Sequence, residues 1–595
     1  MHSDSTDSSR SAGLARRLLL VVLAITFIVF AGVLGHSFVH FDDNINIYAN
    51  PHLKGLDGES LRWMATDMSY ARRYMPLGWL SYAVDREFFG LSARSYHAGN
   101  FLLHLTNVAL VFFLLKRLLV LGRSQGGSSP ADTLSVWGAA VGALLWAINP
   151  LRVENVAWAS SRIYCVALLL ALVWLHAWLK SNDLSLSQGR RRFFYWLSVI
   201  AYGASLLTYP LALFAPVLLF AFEVFPLRRA GVRLGDWIGG GTWKLWRDKA
   251  PFLLLAAAGF ALTLWARSAG GQYNNPITLE QFGLLSRAAQ AFYVWGYYLW
   301  KPWIPFDLAP IYPTLQAFDP QSWPFLVSFL FVVGATLVLY RLRNRFKGLW
   351  VLWLCHLVIL VPFLGLSEYN HSPADRYAYM HGLLWAVVVA FGLSWALDRQ
   401  VKPQIVGAVA IAGLSLLGLF AWQQTSIWNN TIVLHRHLLD RMGEHPGRAR
   451  FDEVLGIHYL RAGLTNEALA SFRSAIHFDQ KRADREIINE GVLARSYAAT
   501  ADIQSALGAT DLAISNYRSA LTANPRYVPA AVNLGILYAR LNRLKEAQKC
   551  FEHTLAIEPA DPSAHHNLAV TLKNLGEEEQ AQNHFREAKR LADAQ

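Results

Sequence analysis

The stretch Arg16-Arg17-Leu18-Leu19-Leu20-Val21-Val22-Leu23-Ala24-Ile25-Thr26-Phe27-Ile28-Val29-Phe30-Ala31-Gly32-Val33-Leu34 decides the class of fold. Between Leu18 and Leu34 only Thr26 and Gly32 are not apolar, and a run of this length crosses a bilayer core as a helix. The arginines before it give it the outline of a signal peptide. Ala31-Gly32-Val33 is a weak cleavage site, however, so the run reads as an uncleaved first transmembrane helix behind a cytoplasmic tail, residues 1–17.

Outward from that run, apolar stretches of similar length recur as far as Trp422. Helices are expected near 18–35, 99–119, 134–149, 163–180, 193–207, 210–226, 250–267, 323–340, 348–366, 376–397 and 403–422. Cations gather in alternate connections: Arg16/Arg17, Lys116/Arg117/Arg123, Arg190/Arg191/Arg192, Arg228/Arg229/Arg233, Arg341/Arg343/Arg345/Lys347 and Arg399/Lys402. The positive-inside rule places all of these in the cytoplasm, which gives about eleven crossings and leaves everything after Trp422 outside. Residues 268–322 then begin and end outside. Ala288–Trp300, with Tyr293, Trp295, Tyr297, Tyr298 and Trp300 ahead of Pro302, Pro305, Pro310 and Pro313, is therefore expected to be interfacial or re-entrant. The alternative is that it crosses and one neighbour does not.

Composition agrees with a membrane chain. Of 595 residues, 54% are hydrophobic and 16% charged, against about 25% charged in soluble domains. The net charge of +13 belongs to membrane-flanking cations, and no nucleic-acid motif accompanies it, so no nucleic-acid partner is expected. Cys165, Cys355 and Cys550 have neither metal-ligand nor paired spacing.

Beyond residues 423–448, read as a linker helix, the pattern changes. Leu455-Gly456, Tyr459, Ala468, Phe472 and Ala475 recur as Leu534-Gly535, Tyr538, Ala547, Phe551 and Pro559, and Leu568, Ala581, Phe585 and Ala588 repeat that set with a period of 34. Ala513, Tyr517, Ala520 and Pro525 supply another second helix. This is the tetratricopeptide (TPR) template. About four repeats over 449–595 predict an α-solenoid whose concave face suits peptides or partner proteins.

Several residues carry chemistry. The first external loop, 36–98, opens with Phe41-Asp42-Asp43, two acids at the membrane edge where a half-desolvated carboxylate acts as a general base; the bland reading is a solvated pair. After Arg72-Arg73-Tyr74, the amphipathic stretch Trp79 to Leu91 suits a helix lying on the outer leaflet. His97, Asn100, His104 and Asn107 share one helix face, either as a site or as interhelical hydrogen bonding; no third ligand supports zinc on the two histidines. Arg152, Glu154 and Arg162 in one external connection, and Asp375, Arg376 and Tyr377 in another that begins at Ser367, set arginines against the positive-inside rule. They form ion pairs or hold a phosphate, which guanidinium matches bidentately.

These motifs in this order resemble one bacterial family: Phe41-Asp42-Asp43, Pro76-Leu77 with Tyr96-His97 and Asn100, Asn149-Pro150-Leu151-Arg152-Val153-Glu154 with Ala157-Trp158, Ala374-Asp375-Arg376-Tyr377, then TPRs. They are the membrane TPR proteins related to GT-C glycosyltransferases, whose layout is similar to that of the transmembrane-and-TPR O-mannosyltransferases. The resemblance implies an all-α fold, with a GT-C-type transmembrane bundle over 18–422 and the TPR solenoid behind it. It implies an enzyme of the bacterial inner membrane that transfers a sugar from a polyprenyl-phosphate carrier to an acceptor, a protein hydroxyl presented through the TPR domain, with inversion. Asp42 or Asp43 would be the catalytic base, and Arg152, Arg162 and Arg376 would hold the donor phosphate. Glu154, Asp375, His97 and Tyr377 would support them. No resident cofactor is assigned, although adjacent acids serve a divalent cation in some GT-C enzymes. The chain departs from the family at Arg162-Ile163-Tyr164 and at Leu207-Thr208-Tyr209-Pro210, where lysines are usual near the donor phosphate. Those departures favour a non-catalytic TPR scaffold for envelope or export partners. A transporter fits less well, because the charges sit at one face and no repeat precedes the TPRs. Asn370-His371-Ser372 and Asn429-Asn430-Thr431 match the N-glycosylation pattern by chance.

Overall fold

The computed structural model describes residues 2–123, 131–239, 242–269, 279–280, 282–312, 319–366, 373–481 and 491–594. The regular elements among them are helical, with no strand. The chain divides into two compact units, Met1–Leu434 and His435–Gln595.

In the first unit six helices are long and apolar enough to cross a membrane: Arg10–Gly35, Ala93–Gly122, Ala159–Ser181, Ala250–Ala269, Trp323–Leu342 and Pro403–Trp428. Two bent pairs, Thr133–Ala147 with Pro150–Ala157 (59°) and Asp375–His381 with Leu383–Asp398 (50°), bring the number to eight if each is one span. Six to eight of the eleven expected crossings thus have that length and composition among the described residues, and the others are shorter or more polar for local reasons. Gln188–Thr208 opens on three arginines. The 210–226 run turns at Pro210 and resumes as the short helix Val217–Val224. The 348–366 run yields a helix of 13 residues, Lys347–Ile359, ended at Val361-Pro362. Leu284–Trp300, at 17 residues, packs Leu299 against Val332 and Trp353.

The bends follow from residue chemistry. Pro150 has no N–H to donate and its ring clashes with the preceding turn, so the helix stops at Ala147. Asn149 Oδ1 then accepts from Leu151 N at 3.2 Å and starts a new turn. At the second bend a Cβ on Gly382 would collide with the Arg152 guanidinium, which would have to shift to admit it.

A broken helix frees carbonyls that lipid cannot satisfy. The stripe His97, Asn100, His104 and Asn107 is buried on Ala93–Arg123 and bonds backbone carbonyls of neighbouring segments, one of them at the Pro150 break. Asn100 Nδ2 donates to Trp158 O (2.9 Å), His104 Nε2 pairs with Ala147 O (3.2 Å) and Asn107 Nδ2 donates to Cys165 O (3.0 Å). Arg152 Nε donates to Trp146 O at 3.2 Å. Of the two readings of this stripe, interhelical hydrogen bonding is the one the contacts support for these three residues.

Ala93–Arg123 has 31 residues and so spans about 46 Å, with His97 at one end and Arg117 at the other. The final apolar helix starts beside Lys402 and finishes at the His97 end. There Ser37 N donates to Asn429 O (2.9 Å), His40 N to Thr431 Oγ1 (3.0 Å), and Trp428 stacks on Trp158 with centroids 5.5 Å apart. The first unit therefore has a basic end and an opposite end that carries the Asp42 loop, and the chain leaves the unit beside that loop.

The second unit contains four helix pairs: Ala449–Arg461 with Thr465–Gln480, Val492–Ala506 with Thr510–Ala523, Val528–Arg540 with Leu544–Ile557, and Pro562–Leu575 with Glu578–Asp593. Small residues set the closeness within a pair. A Cβ on Gly456 would come 2.7 Å from the Phe472 ring, and one on Gly535 2.8 Å from the Phe551 ring. Asp561 caps its helix by accepting from Ser563 N and Ala564 N, and Gly576 ends it in the left-handed region at φ 86°.

Candidate functional site

The Asp42 loop separates two adjacent acids by environment. Asp43 is fully buried, and three donors fill its oxygens: Val39 N at 2.9 Å, Ser160 N at 2.9 Å and Ser160 Oγ at 2.6 Å. Burial pushes its carboxyl up to about 7, the Asp42 charge adds to that, and the three hydrogen bonds oppose it. Its ligands tie the loop to the turn that precedes Arg162–Ser181. Asp42 sits in the left-handed region at φ 70°, a conformation aspartate tolerates, with its side chain 40% exposed. Its Oδ2 lies 3.7 Å from Arg73 Nη2.

Arg73, itself 37% exposed at the side chain, feels Asp42 together with Tyr82, Tyr164 and Tyr209. Tyr164 and Tyr209 have ring centroids 4.6 Å apart, and Tyr164 also lies 6.3 Å from Tyr377. Arg376 stands over both Tyr377 (5.0 Å) and Trp158 (5.6 Å), and Trp158 packs on Phe41 at 5.5 Å. Asp42, Arg73 and Arg376 are thus joined through one aromatic wall. The tyrosines of that wall include the two positions at which the chain departs from the resembled family.

The three arginines expected at a phosphate differ. Arg162 is buried and saturated: Asp85 at 2.6 Å, Asn100 Oδ1 at 2.9 Å, Ser81 O at 3.0 Å and Tyr96 O at 2.6 Å. Arg152 is buried against Trp146, beside Gly382, in the bend it helps to close. Only Arg376 keeps an exposed face, 20% of its side chain, while Glu154 beneath it accepts from Arg376 N at 2.9 Å and from Nη1 at 2.5 Å. Glu154 is thus bonded to Arg376 through both backbone and side chain. Asp375 instead accepts from Tyr297 (3.1 Å) and Tyr312 (2.8 Å), and His97 is buried against His36 at 5.8 Å. Tyr377 stacks on Phe363 at 4.3 Å.

The Ser367–Ser372 part of the last connection lies outside the described residues. Among the described residues no group of three or more His, Cys, Asp or Glu is placed to hold a metal ion. Sequence reading missed Arg73 as a partner of Asp42, and Tyr297 and Tyr312 as partners of Asp375. Arg72-Arg73 stood in plain view, but Asp42, the partner of Arg73, lies far back across a folded loop, and no local spacing reports that.

The fold thus defines an all-helical protein with helices of membrane-crossing length, followed by a solenoid of helix pairs. Residues 527–593 match the family "Tetratricopeptide repeat". Among solved structures, a crystal structure of MamA is 20% identical over 27% of this chain and 87% of its own, with a TM-score of 0.24. BtubC (BKLC) from P. vanneervenii is 22% identical over 34% of this chain and 85% of its own, with a TM-score of 0.26. No curated protein matches the chain as a sequence relative.

Proposed function

We propose that this protein holds a TPR protein-recognition domain at a membrane, with its basic end in the cytoplasm and the TPR domain on the other side. The repeat family match over 527–593, on a unit of four helix pairs, carries this reading. TPR solenoids offer one continuous face for a peptide or protein. Here a polar row links successive pairs: Arg495 Nη2 donates to Glu453 at 2.8 Å, and both Tyr517 OH and Asn533 Nδ2 donate to Asp502. The positive-inside rule supports the orientation. The test is photocross-linking in the native membrane from position 533 against position 549, which is exposed on a second helix. A discrete protein adduct from 533 and none from 549 is the expected result; equal adducts from both would end the reading.

A second reading is favoured by one observation, the half-exposed Asp42 facing Arg73 and joined through Trp158 and Tyr164 to Arg376. In that reading the partner is an acceptor and the protein transfers a sugar to it from a polyprenyl phosphate. Asp42 removes the proton from the acceptor hydroxyl, whose oxygen bonds to the anomeric carbon as the bond to the lipid phosphate breaks, with inversion. Arg376 and Arg73 offset the charge on the departing phosphate. Asp43, with its oxygens already filled, is the structural member of the pair. Purified protein given polyprenyl-phosphate sugars and the captured partner tests it. Turnover lost in Asp42→Asn, with partner cross-linking intact, is expected. A wild type inert with every donor leaves the recruiting role alone standing.

A further inference from the structure

At the basic end of the first unit lies a cavity of about 620 Å³, the size range of small-molecule sites. Its wall is aliphatic and aromatic, with Leu118, Phe225, Val388 and Phe391 drawn from separate segments, and Phe225 and Phe391 rings 5.3 Å apart. The only charged residues lining it among the described residues are Arg345 and Lys347, at the turn between Trp323–Leu342 and Lys347–Ile359. Both are exposed, and neither is paired with a carboxylate among the described residues. No acid among the described residues lines the cavity.

An empty apolar space costs stability in proportion to its volume, and water gains little where no polar wall receives it. The occupant is therefore apolar over most of its length, and it carries negative charge at one end, where two free cations meet it. A soluble anion leaves the apolar volume unfilled, and a neutral lipid leaves the cations without a counterpart. We propose that the cavity holds an acyl chain of an anionic glycerophospholipid from the leaflet at the basic end, with the headgroup phosphate on Arg345 and Lys347. Basic pockets between membrane helices on the cytoplasmic side recognise such headgroups. The site is remote from Asp42, lies at the opposite end of the bundle, and does not depend on either reading of that site.

The experiment is native mass spectrometry of the full-length protein, titrated with phosphatidylglycerol and with phosphatidylcholine of identical chains. Binding of phosphatidylglycerol tighter by about tenfold or more is expected from two surface cations. Arg345→Ala/Lys347→Ala should lower phosphatidylglycerol to the phosphatidylcholine level while the melting temperature stays put. Gly392→Phe fills the cavity from a position where an added Cβ meets nothing within 4 Å, and should remove both lipids. Equal affinity for the two lipids, undiminished phosphatidylglycerol binding in the double variant, or competition by inorganic phosphate at matching concentration would each overturn the proposal.

Discussion

The bundle and the solenoid bring helices together by different means. In the first unit, the break at Pro150 frees the carbonyls of Trp146 and Ala147, which Arg152 and His104 take up, while buried Asn100 and Asn107 bond Trp158 O and Cys165 O on neighbouring segments. In the second, short unbroken helices close on Gly456 and Gly535, each under a phenylalanine ring. Under the membrane reading proposed above, solvent explains the difference. A hydrocarbon surrounding offers no hydrogen bonds, so irregular backbone survives only with donors inside the protein. Helix ends in water are satisfied by water or a single cap. Polar residues therefore specify the bundle, and small and aromatic residues specify the solenoid.

The largest effect expected from this contrast is at Arg162. Arg162→Met leaves Asp85 without its 2.6 Å partner and Asn100 without its donor, and loss of one member of a buried pair costs about 3–5 kcal/mol. Thermal unfolding in detergent should show the first unit melting markedly earlier. Asp85→Leu/Arg162→Met, which removes both charges, should recover much of the loss. An unchanged melt in the single variant would mean that polar contacts do not specify the bundle.

The solenoid counterpart is Gly535→Val. The new side chain must displace the Phe551 ring, and overpacking of this kind costs about 1–3 kcal/mol. The same unfolding measurement should place this loss in the second unit only. Expanding the pocket with Phe551→Leu in the same chain should return part of it; no recovery would show that the ring contact does not set the spacing of the pair.

Legibility followed the same division. The TPR pairs were readable because a small residue and an aromatic four positions on, Ala513/Tyr517, Ala547/Phe551 and Ala581/Phe585, recur with a period of 34. Most apolar runs were readable as helices of membrane-crossing length, but a run such as 210–226 was not, because it is interrupted between Pro210 and Pro216. At the site, Asp42, Glu154 and Arg376 could be named from motif and position. That Arg162 is saturated and Arg376 is not could not, since Asp85, Ser81 and Tyr96 reach Arg162 only through tertiary packing.

Asp43 is the intermediate case, a loop residue that holds the loop to the bundle. In Asp43→Asn the amide replaces an acceptor with a donor and leaves Val39 N or the Ser160 group unsatisfied, a cost of about 1–3 kcal/mol. Folding raises this carboxyl from 3.8 to about 7, so the native state holds its proton more tightly than the unfolded chain does. The contribution is complete below the unfolded value and is lost as pH rises through about 7. Wild-type melting temperature should therefore fall across that window more than that of Asp43→Asn. Parallel pH profiles would show that the buried carboxylate does not titrate there.

The smallest effect on stability is expected next door, and it matters most for the comparison. Asp42 has a side chain 40% exposed and a single ion pair at 3.7 Å, so Asp42→Asn should change stability by no more than about 0.5 kcal/mol. A residue held at φ 70° with so little to contribute to folding is where a function has room to reside. The two neighbours then separate cleanly. Asp43→Asn should move the melt and its pH dependence, while Asp42→Asn should move neither and alter only what the half-exposed face does with a ligand. If Asp42→Asn destabilises as strongly as Asp43→Asn, the two acids form one structural clasp, and the loop holds no carboxylate free to act as a base.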